Sequence, residues 1–218
     1  INTGGVIEVA SWRDKVDAVL LAWQPGLEAG NAVADIVSGK VNPSGKLAVT
    51  FPVKYEDEIT AKNFPGKEFK DKAVTGFMGQ KEIPAEVTHE EGIYVGYRYY
   101  NSFNVKTAYE FGYGLSYTGF SYSNMKLSSS TFKGKLTVTV DITNTGTVAG
   151  KEVVQLYVTA PAASADKPSV ELKAFGKTEL LQPGQKQTLQ FVLEAKDLAY
   201  FNTNLTAWIA DAGMYTVK

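Results

Sequence analysis

The sequence contains no cysteine, and this absence excludes several kinds of chemistry at once. Without thiols the chain has no disulfide framework, no thiolate metal site and no cysteine nucleophile. It contains a single histidine, His89, which excludes a histidine-based metal cluster and leaves a Ser-His-Asp triad only one possible base. We therefore expect neither a metal nor any other cofactor.

An excess of charge and long apolar runs are also missing. The 218 residues carry a net charge of −1, so no basic field attracts nucleic acid or an anionic membrane surface. No apolar run approaches the roughly 20 residues that a membrane helix needs. Residues 1–10 have neither the basic start nor the apolar stretch of a signal peptide. With 44% hydrophobic and 21% charged residues, the composition is that of a globular protein, without a nucleic-acid partner or a membrane span.

Nucleotide-binding and serine-hydrolase motifs are absent too. Residues 39–46, GKVNPSGK, superficially resemble a phosphate-binding loop. Five residues separate the glycines where four are required, and Leu47 stands where a serine or threonine would bind magnesium. No serine lies in a GxSxG elbow. The sequence therefore supports neither chemistry.

The first fifty residues have the pattern of an α/β layer. Residues 18–23, AVLLAW, are continuously apolar, which predicts a strand covered on both faces, as in a parallel sheet. Apolar residues at helical spacing predict a helix over residues 27–37 that stops at Gly39, and residues 47–51 predict another strand. So few elements cannot cover both faces of a sheet. We therefore expect residues 1–52 to be the C-terminal part of a larger α/β domain.

The next two stretches differ sharply in composition. Residues 53–88 are polar with a few isolated aromatic residues and no clear period, which is typical of a long surface excursion. Residues 91–122 contain eleven Tyr and Phe side chains. Aromatic rows can stack on sugars, but they also fill domain junctions, where a tyrosine ring is buried and its hydroxyl finds a partner. We favour a junction.

From Phe120 onward the pattern is β throughout. Residues 136–142, LTVTVDI, alternate strictly, and further strands follow every 8–12 residues or so, with turn residues between them. This spacing predicts an antiparallel sandwich of about seven strands. Residues 214–218 have the pattern of the start of a last strand, so we expect truncation at the C-terminus as well.

Two clusters of carboxylates are candidates for acid–base chemistry. They are Glu56-Asp57-Glu58 and Glu90-Glu91, the latter next to His89. Glycoside hydrolysis uses two carboxyl groups that face each other roughly 5–9.5 Å apart. Neighbouring residues on one segment usually point in different directions, so we expect these carboxylates to be solvated or to cap local structure, and His89 to be a surface or junction histidine.

Several long segments, in order, resemble the C-terminal portion of glycoside hydrolase family 3, which contains β-glucosidases and β-xylosidases. The matching segments are residues 18–30 (AVLLAWQPGLEAG), 31–52 (NAVADIVSGKVNPSGKLAVTFP), 91–100 (EGIYVGYRYY), 110–118 (EFGYGLSYT), 144–158 (NTGTVAGKEVVQLYV), 170–175 (VELKAF), 181–184 (LQPG) and 208–217. The resemblance implies the end of an α/β sandwich domain over residues 1–105, with the insert at 53–88, and a fibronectin type III-like sandwich over residues 106–218.

The resemblance also implies an activity for the complete protein, which is retaining hydrolysis of β-linked glucosides or oligosaccharides by a carboxylate nucleophile and an acid/base carboxyl. The family's nucleophile lies in a barrel domain, within a motif similar to Ser-Asp-Trp that this chain lacks, and its acid/base lies upstream of Ile1. We assign no catalytic residue to this chain, and we expect Trp23 and Gln24 to be structural. The expected partners are the rest of the enzyme and its substrate, and the expected location is periplasmic or extracellular, in a bacterium.

Two further hypotheses remain open. The first is a carbohydrate-binding or adhesion module that uses its tyrosines as stacking platforms. Within the enzyme hypothesis, the insert reaches over the active site, so that Phe77 and Met78 form part of the substrate rim. The sequence does not define the sugar, the linkage or the oligomeric state.

Overall fold

The computed structural model describes residues 1–161 and 166–218. Short elements alternate with turns as far as residue 109. In chain order they are α1 (Ala29–Val37), β1 (Phe51–Pro52), β2 (Lys67–Glu68), β3 (Val74–Thr75), β4 (Lys81–Glu82), β5 (Ala85–Glu86), α2 (Tyr97–Ser102) and β6 (Thr107–Tyr109), with single turns of 3-10 helix at Arg13–Lys15, Tyr55–Asp57, Ala61–Asn63, Lys70–Lys72 and Phe77–Gly79.

Longer strands follow from Phe120. They are β7 (Phe120–Leu127), β8 (Lys135–Asn144), β9 (Val153–Thr159), β10 (Glu171–Lys177), β11 (Lys186–Glu194), β12 (Tyr200–Asn202), β13 (Ala207–Ile209) and β14 (Thr216–Val217), with the short helix α3 (Ala195–Leu198) after β11. The fold is thus an α/β portion followed by a β-sandwich, which confirms the predicted fold class.

The sandwich consists of two antiparallel three-stranded sheets, in the orders β11-β8-β7 and β10-β9-β14, and a separate hairpin of β12 and β13. Along β8, the apolar residues of the alternating pattern point inward and are buried. They pack against the inward residues of β9 and β11 to form a core of ten buried side chains. The strict alternation seen in the sequence is therefore the inner face of one sheet.

The α/β portion has fewer regular elements than the sequence predicts. The helix predicted over residues 27–37 is present as α1, and Gly39 follows it with φ +76°, a conformation that favours glycine. The strand predicted over residues 18–23 is not regular. Residues 1–3 and 20–23 run parallel and exchange hydrogen bonds, but only Asn2 and Trp23 form a bridge.

The prediction of a strand over residues 47–51 is also wrong in extent. Only Phe51 and Pro52 form a strand, and they pair with β6. Leu47 instead exchanges hydrogen bonds with Gly112 and Tyr113. A continuous apolar run forms a stable strand only where further strands and covering helices pack around it. In the described residues the core cluster of this portion contains only Val9, Phe51 and Ala108, with partly buried neighbours, and Tyr100 is buried apart from it.

The insert forms two small hairpins on the surface, as the lack of a hydrophobic period predicts. Strand β2 pairs with β5, and β3 pairs with β4 within that loop. All eight residues of these four strands are exposed. Nowhere in residues 1–161 or 166–218 is there a helix long and apolar enough to cross a membrane.

Candidate functional site

The α/β portion and the β-sandwich meet at a set of aromatic rings. We call Tyr94, Tyr97, Phe103, Phe111 and Tyr157 the aromatic junction. The ring of Tyr97 lies 4.9 Å from that of Phe111 and 5.9 Å, edge-on, from that of Tyr157 on β9. The Tyr97 hydroxyl accepts a hydrogen bond from the Leu172 backbone N–H at 2.8 Å. The tyrosine-rich segment thus packs against the sandwich, as the junction interpretation predicts.

Helix α2 directs its tyrosines to opposite sides. Gly96, with φ +57°, turns the chain immediately before the helix. Tyr97 then contacts the sandwich, while Tyr100 is buried and donates a hydrogen bond to Glu58 in the insert at 3.2 Å. Burial, followed by the nearby Glu58 carboxylate, raises the pKa of Tyr100 well above its usual value. A single helical turn therefore links the insert to the sandwich.

Polar contacts reinforce the aromatic junction. The Tyr94 hydroxyl donates to the Asp166 carboxylate, and this hydrogen bond, together with burial, raises the pKa of Tyr94 to about 12. Arg98 lies 3.5 Å from Glu171 on β10. The Ser169 backbone N–H donates to the Ser102 hydroxyl at 2.9 Å. Each contact joins α2 or its flanks to the sandwich.

A second contact between the two portions is polar, and we call it the polar bracket. It consists of Asn42, Lys46, Tyr122 and Glu152. Lys46 Nζ lies 3.3 Å from Glu152 Oε2, and both side chains are mostly buried. Tyr122 donates to Glu152 Oε1 at 2.9 Å, and Asn42 Nδ2 donates to the Ala149 carbonyl at 2.9 Å. Burial, followed by the Glu152 charge, raises the pKa of Tyr122 above its usual value.

Sequence reasoning missed the polar bracket. Residues 39–46 resemble a phosphate-binding loop only superficially. This resemblance gives no indication of a contact with Glu152, which lies more than a hundred residues away in the sequence. The one available signal was local: Asn42-Pro43-Ser44-Gly45 has the composition of a turn, and a turn places polar side chains where a neighbouring layer can bond them.

The carboxylate clusters are engaged in local structure. Asp57 accepts a hydrogen bond from the Lys54 backbone N–H at 3.3 Å, at the start of a 3-10 turn. Glu90 accepts from Lys62 and Asn63, hydrogen bonds that lower its pKa. His89 is exposed, and its Nδ1 lies 3.1 Å from Oε1 of Glu91, two residues further along the chain. Asp57 and Glu90 thus fit the capping and solvated roles predicted for these groups, whereas the Glu91 side chain is only 11% exposed and does not fit a solvated role.

The two residues proposed for a substrate rim lie together at the tip of the β3–β4 hairpin. Phe77 is 87% exposed and Met78 is 90% exposed. Met78 has φ +74°, which is uncommon for a residue with a side chain. Trp23, in contrast, packs against Phe51 with ring centroids 6.2 Å apart, in the small core of the α/β portion. Its position fits the structural role predicted for it.

The described part of the chain contains no group of side chains suited to a metal centre. Across residues 1–161 and 166–218, no three His, Asp or Glu side chains are grouped so as to hold a metal ion. The candidate sites of this chain are the aromatic junction, the polar bracket and the exposed tip of the β3–β4 hairpin.

Two models of known protein families match this chain. Residues 1–117 match the glycosyl hydrolase family 3 C-terminal domain, and residues 152–218 match a fibronectin type III-like domain. The chain is 42% identical to Beta-glucosidase B of Emericella nidulans and covers 25% of that protein. It is 39% identical to Thermostable beta-glucosidase B of Acetivibrio thermocellus, with 94% of this chain aligned to 25% of that protein.

Solved structures give the same result. The structure of beta-glucosidase 3B from Thermotoga neapolitana in complex with glucose matches 99% of this chain with a TM-score of 0.87 and 49% identity, over 28% of its own length. That of a beta-glucosidase from Kluyveromyces marxianus in complex with glucose matches 99% of this chain with a TM-score of 0.83 and 40% identity, over 24% of its length. This chain thus spans about a quarter of the length of the relatives it matches.

Proposed function

Because this chain belongs to glycosyl hydrolase family 3, we propose that it forms the C-terminal structural part of a retaining, exo-acting β-glucosidase-like enzyme. The complete enzyme would hydrolyse β-linked glucosides or oligosaccharides with a nucleophilic carboxylate and an acid/base carboxyl. Both catalytic groups lie outside these 218 residues in this proposal. The domain boundary that we propose remains near residue 105.

The observation that carries the proposal is the incomplete α/β portion. Its parallel pairing in the described residues is limited to residues 1–3 and 20–23, and several of its apolar side chains are exposed. Leu27, two residues before α1, and Val37, at its C-terminal end, are both strongly exposed, and Val6, Val16 and Val49 are exposed too. Apolar patches of this kind mark surfaces that another layer covers. The rest of the α/β domain of a larger enzyme would supply that layer.

The role of this part would be to complete the α/β domain and to hold it against the β-sandwich. Two separate contacts support this role, the aromatic junction and the polar bracket. The rings of the aromatic junction contact one another edge-on or tilted, and four of the five are partly buried, while Phe103 is 55% exposed. They therefore favour bracing over the alternative of a carbohydrate-binding module.

A kinetic comparison tests the location of the catalytic pair. We expect the 218 residues alone to give no turnover of an aryl β-glucoside above the background rate, while the complete enzyme at equal concentration is active. Circular dichroism of the isolated chain shows whether it is folded, so that a lack of turnover is not mistaken for the effect of unfolding. Turnover by the isolated, folded chain at a rate comparable with the complete enzyme would refute the proposal.

Within the complete enzyme, we propose that the β3–β4 hairpin reaches over the active-site entrance, so that Phe77 and Met78 contact the leaving group of the substrate. Two almost fully exposed apolar side chains at one hairpin tip support this proposal, since an apolar aglycone is a suitable partner for them.

The test of the hairpin proposal uses the complete enzyme with Phe77→Ala and Met78→Ala combined. We expect a higher KM for substrates with a bulky aryl leaving group and little change for small leaving groups. Met214→Ala, which removes an equally exposed methionine from the sandwich, is the matched control. Unchanged aglycone preference in the double variant would remove Phe77 and Met78 from the substrate rim.

We propose a periplasmic or extracellular location in a bacterium. Similarity to a bacterial structure at 49% identity supports the bacterial assignment. Cell fractionation of the source organism with an activity assay on each fraction tests the location, and activity confined to the cytoplasm would contradict it.

A further inference from the structure

Two aromatic side chains stand together on the outer face of the β12–β13 hairpin. Phe201 and Trp208 are directly opposite each other in the ladder, and their ring centroids lie 5.7 Å apart. Directly opposite residues of an antiparallel ladder point to the same face. Phe201 is 46% exposed and Trp208 is 71% exposed. The hairpin thus presents two neighbouring rings to solvent, which we call the Phe–Trp pair.

The opposite face of this hairpin is anchored by an ion pair. Tyr200 pairs with Ile209 in the same ladder, and both residues are partly buried. The centroid of the Tyr200 ring lies 4.2 Å from Lys167 Nζ. Lys167 in turn forms an ion pair with Asp211, and both of these side chains are mostly buried. The Phe–Trp pair is therefore pre-organised, which lowers the entropic cost of binding a ligand.

The surroundings of the Phe–Trp pair are polar but uncharged. No Asp, Glu, Lys, Arg or His lies among residues 198–210. Thr203, Asn204 and Thr206, in the turn between the two strands, are exposed, and their hydroxyl and amide groups both donate and accept hydrogen bonds. Nucleic acids, acidic peptides and anionic membranes are recognised by cationic side chains. The chemistry of this hairpin instead fits a neutral ligand that carries many hydroxyl groups.

The Phe–Trp pair is too small to hold two copies of the chain together. An aromatic side chain buries at most about 250 Å². Two such side chains supply less than the roughly 800 Å² per partner of a standard protein interface. A small ligand surface, of the size of one or two sugar units, matches the pair better.

We propose that the Phe–Trp pair binds β-linked glucan chains. In a β-linked glucose unit the hydroxyl groups and the glycosidic bonds are equatorial, so both faces of the sugar expose C–H groups and its rim exposes hydroxyls. An aromatic ring packs against such a face, while neighbouring amides and hydroxyls bond to the rim. The two rings are inclined at 68°, so one sugar unit stacks on the more exposed Trp208 and Phe201 contacts its edge.

The inference deepens the proposed function and rests on it. An enzyme that hydrolyses β-linked oligosaccharides meets such chains as its substrates, and the Phe–Trp pair would retain them at the enzyme. The pair belongs to the β-sandwich and shares no residue with the aromatic junction, whose rings pack against one another.

Affinity gel electrophoresis of the complete enzyme tests the inference. The native gels contain either barley β-glucan, which is β-linked, or dextran, which is α-linked, at equal concentrations. We expect β-glucan but not dextran to retard the wild type, and Trp208→Ala to weaken the affinity about tenfold or more, because a stacking contact is lost. Trp208→Phe keeps a ring and should retain part of the affinity. Leu205→Ala, which removes an exposed apolar side chain from the same hairpin, is the matched control.

Activity on an aryl β-glucoside separates this inference from the proposed function. Weaker retardation of Trp208→Ala with unchanged activity supports the inference. If an active wild type is not retarded, or if wild type and Trp208→Ala are retarded equally, the inference is overturned and the proposed function stands. Equal retardation by dextran also overturns it. A folded complete enzyme without activity counts against the proposed function itself.

Two further measurements on the complete enzyme detect a different occupant of the Phe–Trp pair. Because an exposed ring contributes little to folding, Trp208→Ala should change the melting temperature by less than about 2 °C. A larger fall would mean that another part of the enzyme covers Trp208. Gel filtration would reveal a dimer that Trp208→Ala dissociates, in which case a second copy covers the ring. Either result overturns the inference.

Discussion

Asp141, on β8, receives hydrogen bonds from both neighbouring strands. Asn124, Thr188 and Lys186 donate to its carboxylate at 3.0, 2.6 and 3.1 Å. These hydrogen bonds, that from Asn124 first, hold its pKa well below the usual range. One residue thus fixes the three strands of its sheet together through its charge.

Acid should therefore weaken the sandwich partly through Asp141. Its pKa is lower in the folded than in the unfolded state, where it is about 3.9, so its contribution is complete above that value and is lost as the pH falls towards the folded pKa. We expect Asp141→Asn to lower stability at pH 7 and to flatten the loss of stability below about pH 4. Urea midpoints at several pH values measure this, with the exposed Asp14→Asn as control. Parallel pH profiles for wild type and Asp141→Asn would contradict the assignment.

The central interaction of the polar bracket is the ion pair between Lys46 and Glu152. Because both side chains are mostly buried, Lys46→Ala leaves the Glu152 carboxylate without its cation, at a cost of about 3–5 kcal/mol in the free energy of unfolding. The double variant Lys46→Met with Glu152→Gln should cost less, since no charge is stranded and Tyr122 keeps an acceptor.

Equilibrium denaturation of the two variants checks this expectation. Lys40→Ala is the matched control, because the Lys40–Asp35 pair is exposed on the lysine side and is worth only about 0–1 kcal/mol. A loss for Lys46→Ala no larger than that of Lys40→Ala would show that the polar bracket does not stabilise the protein.

At the scale of elements, α2 determines how the α/β portion meets the sandwich. Tyr97→Ala removes a ring packed on Phe111 and Tyr157 and should cost about 3–5 kcal/mol. Tyr97→Phe keeps the ring and loses the acceptor for Leu172, at about 0.5–1.5 kcal/mol. Calorimetry should also show the single transition splitting in Tyr97→Ala, as the two portions unfold separately. Equal losses in both variants would place the stabilisation in the hydrogen bond alone.

The elements also show where sequence patterns are reliable. The alternation at residues 136–142 predicts β8 because both its inner and its outer face are formed within this chain. Helix α1 is predicted for a similar local reason, with a glycine stop at Gly39. The run at residues 18–23 predicts a strand that does not form fully, since an apolar segment without alternation depends on neighbours beyond the described residues.

For the whole molecule, the two portions should differ in stability. The core cluster of the sandwich contains ten buried residues, whereas the α/β portion buries four apolar or aromatic residues in the described part of the chain. Since stability follows buried apolar area, we expect amides in residues 135–194 of the isolated chain to exchange much more slowly than those in residues 1–52. Hydrogen exchange with mass spectrometry measures both. Equal protection of the two portions would mean that the α/β portion does not need a covering layer.

The sequence by itself determined the kind of protein: a β-sandwich from alternation, an α/β layer from an unbroken apolar run, and a family from long motifs in order. These signals are local, because each lies within a single segment and reflects the environment of that segment. Only the tertiary structure decided which distant groups meet, such as Lys46 with Glu152 and Tyr97 with Tyr157. Those contacts depend on how the segments pack in three dimensions, and neither spacing nor composition encodes that arrangement.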